Sequence, residues 1–319
     1  MSFSNDIKTE ISKRKIYSDI EALIELSAIL KTNASISLGN AFFYINFSTE
    51  NIDVSKRIYK LIYRLYDYEP TISFLQNDSI QKDGIYTISI EEKIIVDSLL
   101  INSGIDIYGN YTIKPSILHK RLEGENSNKK KAYLRGAFLG AGSIVNPEKS
   151  YHMEMVFSKE EDYNFTKTIL ESLEIPPLSY ERKGKYILYY KDSDKISDLL
   201  NIIGATNSML ELENIRALKD VRNNVNRQVN CDTANINKTL TAANKQIEQI
   251  KYIINKKGIN YFDQSLRSIV EARLNRPDLS LKDLGKEIEP QLSKSGVSHR
   301  LRKIEEIYKS IIQEEKKTR

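Results

Sequence analysis

The side chains best suited to chemistry lie near the C-terminus. In Lys294-Ser-Gly-Val-Ser-His-Arg-Leu-Arg-Lys303, the residues Lys294, Ser295, Ser298, His299, Arg300, Arg302 and Lys303 carry hydrogen-bonding groups. Val297, Leu301 and Ile304 recur between them at helical spacing. Donors gathered on one side of a helix suit phosphate oxygens and the edges of DNA bases. Arg300 is the foremost candidate for a guanine contact, because its planar fork matches two acceptors in the major groove. Ser298 and His299 suit adjacent bases, and Arg302, further from the helix start, suits phosphate. A second donor set lies upstream, at Arg222, Asn226, Arg227, Lys238 and Lys245. It falls in 216–257, which holds nine basic and three acidic side chains. That balance predicts sequence-independent phosphate contacts. A solvated amphipathic helix pair is the bland alternative, though it usually carries more Glu.

The elements that must position these groups are legible. Leu266 to Leu274 reads as an amphipathic helix ended by Asn275-Arg-Pro-Asp278. Ser280-Leu-Lys-Asp283 resembles a capping box with Asp in the usual place of Glu, opening a short helix with Leu281, Leu284 and Ile288 inward. Ser293 then caps a further helix with Val297, Leu301, Ile304, Tyr308 and Ile311 as its core side. Short helix, turn and second helix with a basic outer face form the helix-turn-helix pattern; a plain helical hairpin is the alternative. Upstream, Leu218, Val221, Val225 and Val229 mark one helix. A second helix carries Ile236, Leu240, Ala243, Ile247, Ile250 and Ile254.

Charge separates this region from the rest. Residues 215–319 hold 22 Lys/Arg against 13 Asp/Glu, so the remainder of a chain with net charge +5 is mildly acidic. A polyanionic partner should therefore meet the C-terminal third first. At 319 residues the chain can bury two or three domains. No apolar run is long enough to span a bilayer, and Met1-Ser-Phe-Ser-Asn-Asp6 lacks a secretory pattern, so a cytoplasmic, nucleoid-associated protein is expected. Cys231 is the single cysteine, expected as a reduced, packed thiol. His119, His152 and His299 lack metal-ligand spacing, and no P-loop or Ser/His/Asp arrangement is present. Tyr186, Tyr189 and Tyr190 fit cross-strand packing better than base stacking.

The first two thirds contain a repeat. Leu26-Ser-Ala-Ile-Leu-Lys-Thr-Asn-Ala-Ser35, followed by Phe47-Ser-Thr-Glu50, is answered by Leu134-Arg-Gly-Ala-Phe-Leu-Gly-Ala-Gly-Ser143 and Phe157-Ser-Lys-Glu160. Val96 to Gly104 is answered by Ile196 to Gly204, at offsets of 108, 110 and 100 residues for the three matches. Each copy reads as helix, strand or hairpin, helix, hairpin, helix. Ile20–Leu30, Phe42–Phe47, Ile52–Tyr66, Ile72–Leu75 and Ile85–Ile90, turning at Asp83-Gly84, make the first copy. Met153–Phe157, Phe165–Leu173 and a hairpin turning at Lys183-Gly184 make the second. Gly104 and Gly204 are expected to end helices. Arg121 to Lys131 reads as a linker.

The paired segments resemble the two motif helices of LAGLIDADG homing endonucleases, in which small residues let the helices pack at a pseudo-twofold axis. Gly136, Ala137 and Gly140 supply that face here, with Ala28 and Ala34 in the first copy. In that family an acidic residue ends each helix, and the two acids hold the divalent metal that phosphodiester cleavage needs. The corresponding positions are Asn33 and Ala141, and no Asp or Glu lies within four residues of either. The resemblance thus implies a retained scaffold with no catalytic residues, no metal and no cofactor.

Together with Asn226-Arg-Gln-Val-Asn-Cys-Asp-Thr-Ala-Asn235 and Ser293 to Arg302, this arrangement looks like the WhiA family of bacterial regulators over nearly the whole chain. The implied fold is α+β: duplicated LAGLIDADG-like lobes at 1–120 and 121–212, a basic helical connector at 213–260, and an all-α helix-turn-helix domain at 261–319. The implied function is sequence-specific transcription regulation without nuclease activity, in cell division and chromosome segregation or in sporulation. The implied partners are double-stranded promoter DNA and another transcription regulator or RNA polymerase, with no membrane. Two other readings stay open: a division-associated protein scaffold with incidental DNA binding, and a residual endonuclease using relocated acids such as Glu148 or Glu154.

Overall fold

The computed structural model describes residues 2–39, 42–76, 84–105, 118, 122 and 127–317. His119, Asp83, the 120/121 boundary and residues 121 and 123–126 of the expected linker lie outside the described residues, whereas Ser127 to Lys131, expected in that linker, are helical. The chain divides into two units, Met1–Lys219 and Asp220–Arg319.

The first unit begins with a helix that the sequence reading passed over. Asn5 N–H donates to Ser2 Oγ at 3.3 Å, and Phe3, Ile7 and Ile11 bury one stripe of α1, Phe3–Ser12. The repeated unit then follows as α2 (Asp19–Asn33), β1 (Ala34–Leu38), β2 (Phe43–Thr49), α3 (Ile52–Tyr66), β3 (Thr71–Leu75), β4 (Ile85–Ile90) and α4 (Lys93–Ser103). Its second copy is α5 (Ser127–Ala141), β5 (Gly142–Ile144), β6 (Met153–Phe157), α6 (Glu160–Glu171), β7 (Leu178–Arg182), β8 (Lys185–Tyr190) and α7 (Ser193–Ile203). Each copy builds a four-stranded antiparallel sheet, in the orders β1-β2-β4-β3 and β5-β6-β8-β7. Equal strand order in both sheets is what a duplication requires. The fold is α+β with two lobes of equal strand order, as the resemblance to LAGLIDADG proteins implies.

The lobes meet along α2 and α5. A Cβ on Gly136 would overlap the Glu25 carbonyl and Ala28, and one on Gly140 would overlap Thr32. Only glycine permits that approach. Ala28 and Ala137 are fully buried beside them, whereas Ala34 belongs to β1 and not to the helix face. The same contact surface holds a charge network. The Glu25 carboxylate accepts from Arg57 Nε at 2.7 Å and Nη2 at 2.9 Å, and from Arg135 Nη1 at 3.0 Å. Arg57 also donates to the Arg14 carbonyl, and Arg135 Nε to that of Ile203 at 3.1 Å. Lys31 and Asp162 add a second link across the lobes at 2.8 Å.

Gly104 and Gly204 end their helices in left-handed conformations, at φ 70° and 87°. Lys183-Gly184 turns the β7–β8 hairpin with both residues at positive φ. The three tyrosines of β8 pack on rings or backbone: Tyr186 on Tyr163, Tyr189 on Tyr180, and Tyr190 through its hydroxyl to the Ile175 carbonyl.

One prediction fails outright. The two helices expected between 216 and 257 are a single helix, α8 (Thr206–Lys257), 52 residues long. No Gly or Pro lies between Gly204 and Gly258, so nothing in the backbone requires a break. The unit boundary therefore falls inside α8, not at 212/213 or 260/261. Leu218, Val221, Val225, Val229 and Ile236 form an exposed apolar stripe. Cys231, expected to be packed, is exposed on the same stretch. From Ala243 onward α8 turns inward, and Ile250 and Ile253 join the core of the second unit. That core is completed by α9 (Gln264–Asn275), α10 (Leu281–Lys286) and α11 (Lys294–Lys317).

Candidate nucleic-acid interface

The helix-turn-helix is built from local signals. Asp263 caps α9: its Oδ1 accepts from Leu266 N–H at 2.8 Å and from the Ser265 hydroxyl at 2.6 Å. These bonds, with the Lys303 charge nearby, hold the Asp263 carboxyl below its ordinary range. Ser280 caps α10, accepting from Asp283 N–H at 3.3 Å while its hydroxyl donates to the Asp283 carboxylate at 2.7 Å. The Asp of the box thus reaches the Ser side chain, being one methylene shorter than Glu. Lys286, at 2.8 Å, and then Ser280 lower the Asp283 pKa. Ser293 caps α11 by accepting from Gly296 N–H at 3.2 Å.

The turn between α10 and α11 depends on a residue the sequence reading overlooked. Leu292 N–H donates to the Gly285 carbonyl at 2.9 Å, and a Cβ on Gly285 would collide with the Leu292 carbonyl. A glycine five residues after the cap was the available signal. Arg273 was also missed. It is buried in α9, donates from Nη1 to the Leu279 carbonyl at 2.9 Å, and so pins the α9–α10 loop. Val297, Leu301, Ile304 and Ile311 are buried and fix the rotation of α11.

That rotation sorts the candidates. Lys294, Ser295, His299, Arg302 and Lys303 are exposed, and Ser298 is half-buried. Ser295, His299 and Arg302 follow one another at helical steps of four and three, making one ridge. Arg300 departs from its expected position. Its Nη1 donates to the Ser265 carbonyl at 2.9 Å, so the fork is held against α9 instead of standing free on the ridge.

On α8, Arg222, Asn226, Arg227 and Lys238 are exposed and make no ion pair among the described residues. Lys245 differs: its ammonium lies 3.3 Å from Glu305. Hydrogen bonds from Lys245 and Lys309 hold the Glu305 carboxyl below its ordinary value. Lys245 therefore fastens α8 to α11. Within the first unit, Lys219 is similarly occupied, donating to the Pro147 carbonyl at 2.6 Å and lying over the Tyr151 ring.

The positions matched to nuclease acids end α2 and α5. Asn33 Oδ1 accepts from Ser48 N–H at 3.2 Å, and Ala141 precedes β5. Of the relocated acids considered, Glu154 pairs with His152 at 3.3 Å and Glu148 lies in an exposed turn. Among the described residues no three His, Cys, Asp or Glu side chains are grouped to hold a metal ion.

Known proteins match this arrangement in order. The profile of the WhiA N-terminal LAGLIDADG-like domain fits residues 19–106, that of the WhiA LAGLIDADG-like domain 130–222, and that of the WhiA C-terminal HTH domain 225–308. A "Probable cell division protein WhiA" of Clostridium botulinum is 42% identical over 313 residues, covering 96% of this chain and 98% of its own. Its namesake in Clostridium acetobutylicum is 41% identical over 317 residues, covering 98% and 99%. The crystal structure of full-length WhiA from Thermatoga maritima, 25% identical, superposes with a TM-score of 0.58 and covers 97% of this chain and 99% of that one. With both lobes, the helix-turn-helix and full-length relatives in agreement, the chain belongs to the WhiA family.

Proposed function

We propose that this protein is a sequence-specific regulator of transcription that binds double-stranded promoter DNA, does not cut it, and serves cell division and chromosome segregation. The carrying observation is the exposed ridge Ser295, His299 and Arg302 in the first turns of α11, on a helix whose rotation is fixed by four buried apolar residues. A helix presented this way enters the major groove with its first turns against base edges. Arg302, expected at phosphate, shares a helical ridge with Ser295 and His299 and is therefore assigned to base edges with them; Lys294 and Lys303 flank the ridge and suit phosphate, as do Arg222, Asn226, Arg227 and Lys238 on α8. The division role follows from the name its relatives carry. Control at a promoter requires an effect on polymerase occupancy, so RNA polymerase or a second regulator is the expected protein partner. No helix among the described residues is long and apolar enough to cross a membrane, which suits a nucleoid-associated protein.

The test uses full-length protein and duplexes from its own upstream region. A His299→Ala/Arg302→Ala variant should lose about 1–3 kcal/mol per base contact on the preferred duplex and much less on scrambled DNA. In magnesium or manganese both duplexes should stay intact. Equal losses on both duplexes would remove the ridge from base reading, and cleavage abolished by a carboxylate substitution would restore the endonuclease reading.

A further inference from the structure

A polar pocket of about 360 Å³ lies beside Asn33, walled by the first lobe and α1 except for Leu139 of α5. Its walls are the first two turns of α1, the end of α2 and the β2–α3 junction, with Ile85 and Leu139 as the apolar part. The size is at the lower end of small-ligand sites.

Lys8 is the one cation among the lining residues. Lys8 lines the pocket and has no hydrogen bond or ion pair among the described residues. Burial lowers its pKa, against a smaller opposing effect of Glu50, so the ammonium gains from a bound counter-charge. Asn33 Oδ1 is occupied by Ser48 N–H, and its Nδ2 is left as a donor. The hydroxyls of Ser4 and Ser48 also line the wall. Asn51 contributes no free group: its oxygen caps α3 and its nitrogen donates to Asn5 and Thr9. Glu50 is the single carboxylate among the lining residues.

A carboxylate at position 33 would repel a phosphoryl group unless a metal ion came between them. An amide with its NH2 turned outward reverses that preference. We propose that this pocket binds a small phosphorylated molecule, about the size of a mononucleotide, holding its phosphoryl group with Lys8 and Asn33 and without a metal ion. Lys8 supplies the charge, the Asn33 amide and serine hydroxyls supply direction, and Ile85 and Leu139 pack against the ligand's ring.

The experiment is isothermal titration of full-length protein in EDTA with inorganic phosphate, with AMP and with a short DNA duplex, together with phosphorus NMR of AMP. Saturable one-site binding of AMP is expected, with phosphate weaker because it lacks the ring. Lys8→Met should weaken AMP by tenfold or more, the loss of one charge-assisted hydrogen bond at about 1.5–3 kcal/mol. Asn33→Asp should weaken it comparably at neutral pH, and Lys8→Arg should retain most of it. Asn33→Asp carries the test if Lys8→Met fails to fold. Absence of AMP or phosphate binding at millimolar concentration, or binding indifferent to both residues, would overturn the proposal. So would displacement of AMP by the duplex with a matching loss of duplex affinity in the Lys8 variant, since the pocket would then belong to backbone phosphate. Because these readouts do not involve α11, they stand or fall independently of the promoter-binding test.

Discussion

Glu25→Gln should be the most damaging single-atom change in the first unit. Glu25 and Arg57 are nearly inaccessible, at 1% and 2% exposure, and Arg135 is at 9%. The carboxylate takes three charge-assisted hydrogen bonds from the two guanidiniums. An amide keeps the volume but removes the charge, and its NH2 group faces arginine N–H donors that it cannot satisfy. Two buried cations are then left without their counter-charge. Breaking a buried pair in this way costs about 3–5 kcal/mol, most of it the penalty of the stranded charge and not the lost worth of the contact. For a unit of this size, about 2–4 °C accompany each kcal/mol, so its melting transition should fall by roughly 6–20 °C. Differential scanning calorimetry of full-length protein measures it, with the exposed Glu91→Gln as control. The triple variant Glu25→Leu/Arg57→Met/Arg135→Met should recover most of the loss, because no charge is then stranded. A fall for Glu25→Gln no larger than the control's, or a triple variant as unstable as the single one, would refute the reasoning.

Three further outcomes are expected. Arg300→Ala removes the bond to the Ser265 carbonyl, so it should cost the second unit about 0.5–1.5 kcal/mol by denaturant titration and weaken preferred and random duplexes alike; a loss of about 1–3 kcal/mol confined to the preferred duplex would return Arg300 to base reading. Arg222→Gln/Arg227→Gln/Lys238→Gln should weaken all duplexes about equally and reduce the slope of log affinity against log salt by roughly three, and an unchanged slope would mean that these side chains never meet phosphate. Glu305 has a folded pKa below its ordinary value of 4.5, so its stabilising effect is complete above that value and is lost as pH falls through the lower, folded pKa. The second unit should therefore melt progressively lower below about pH 4.5, and Glu305→Gln should melt lower at neutral pH but lose less on acidification; parallel pH profiles for the two proteins would contradict this.

What was legible in the sequence was local or repeated. Ser280 and Ser293 announce helix starts because a cap needs only its own next turn. The duplication is readable because each copy buries the same face against a sheet of the same order. Long-range chemistry was not readable in the same way. Glu25 is separated by 32 and 110 residues from the arginines that neutralise it, and its signal was only an acid set inside the apolar run Ala22 to Leu30. Lys245 and Arg300 were read as free donors because composition reports charge and not its partner. Helical periodicity marked the stripe at Leu218 to Val229 correctly, yet period says which face is apolar and not whether anything covers it. The continuity of α8 was in the sequence: no breaker lies between Gly204 and Gly258, and Val229 and Ile236 are seven residues apart, so the two stripes run along one helical face.

Under the proposed reading, the lobes keep a LAGLIDADG-like scaffold without carboxylates at Asn33 and Ala141. Close packing of α2 on α5 depends on Gly136 and Gly140, and the charge balance of that contact depends on Glu25, Arg57 and Arg135. Changing any of these carries a large energetic cost. The positions matched to the acids lie at the ends of the same helices, where Asn33 needs only to accept from Ser48 N–H and Ala141 leads into a short strand. An acid at either position would bring charge without adding packing. Architecture and catalysis thus draw on different residues of one helix pair. On the proposed reading, such a pair keeps the first without the second, and its ends hold polar groups of another kind.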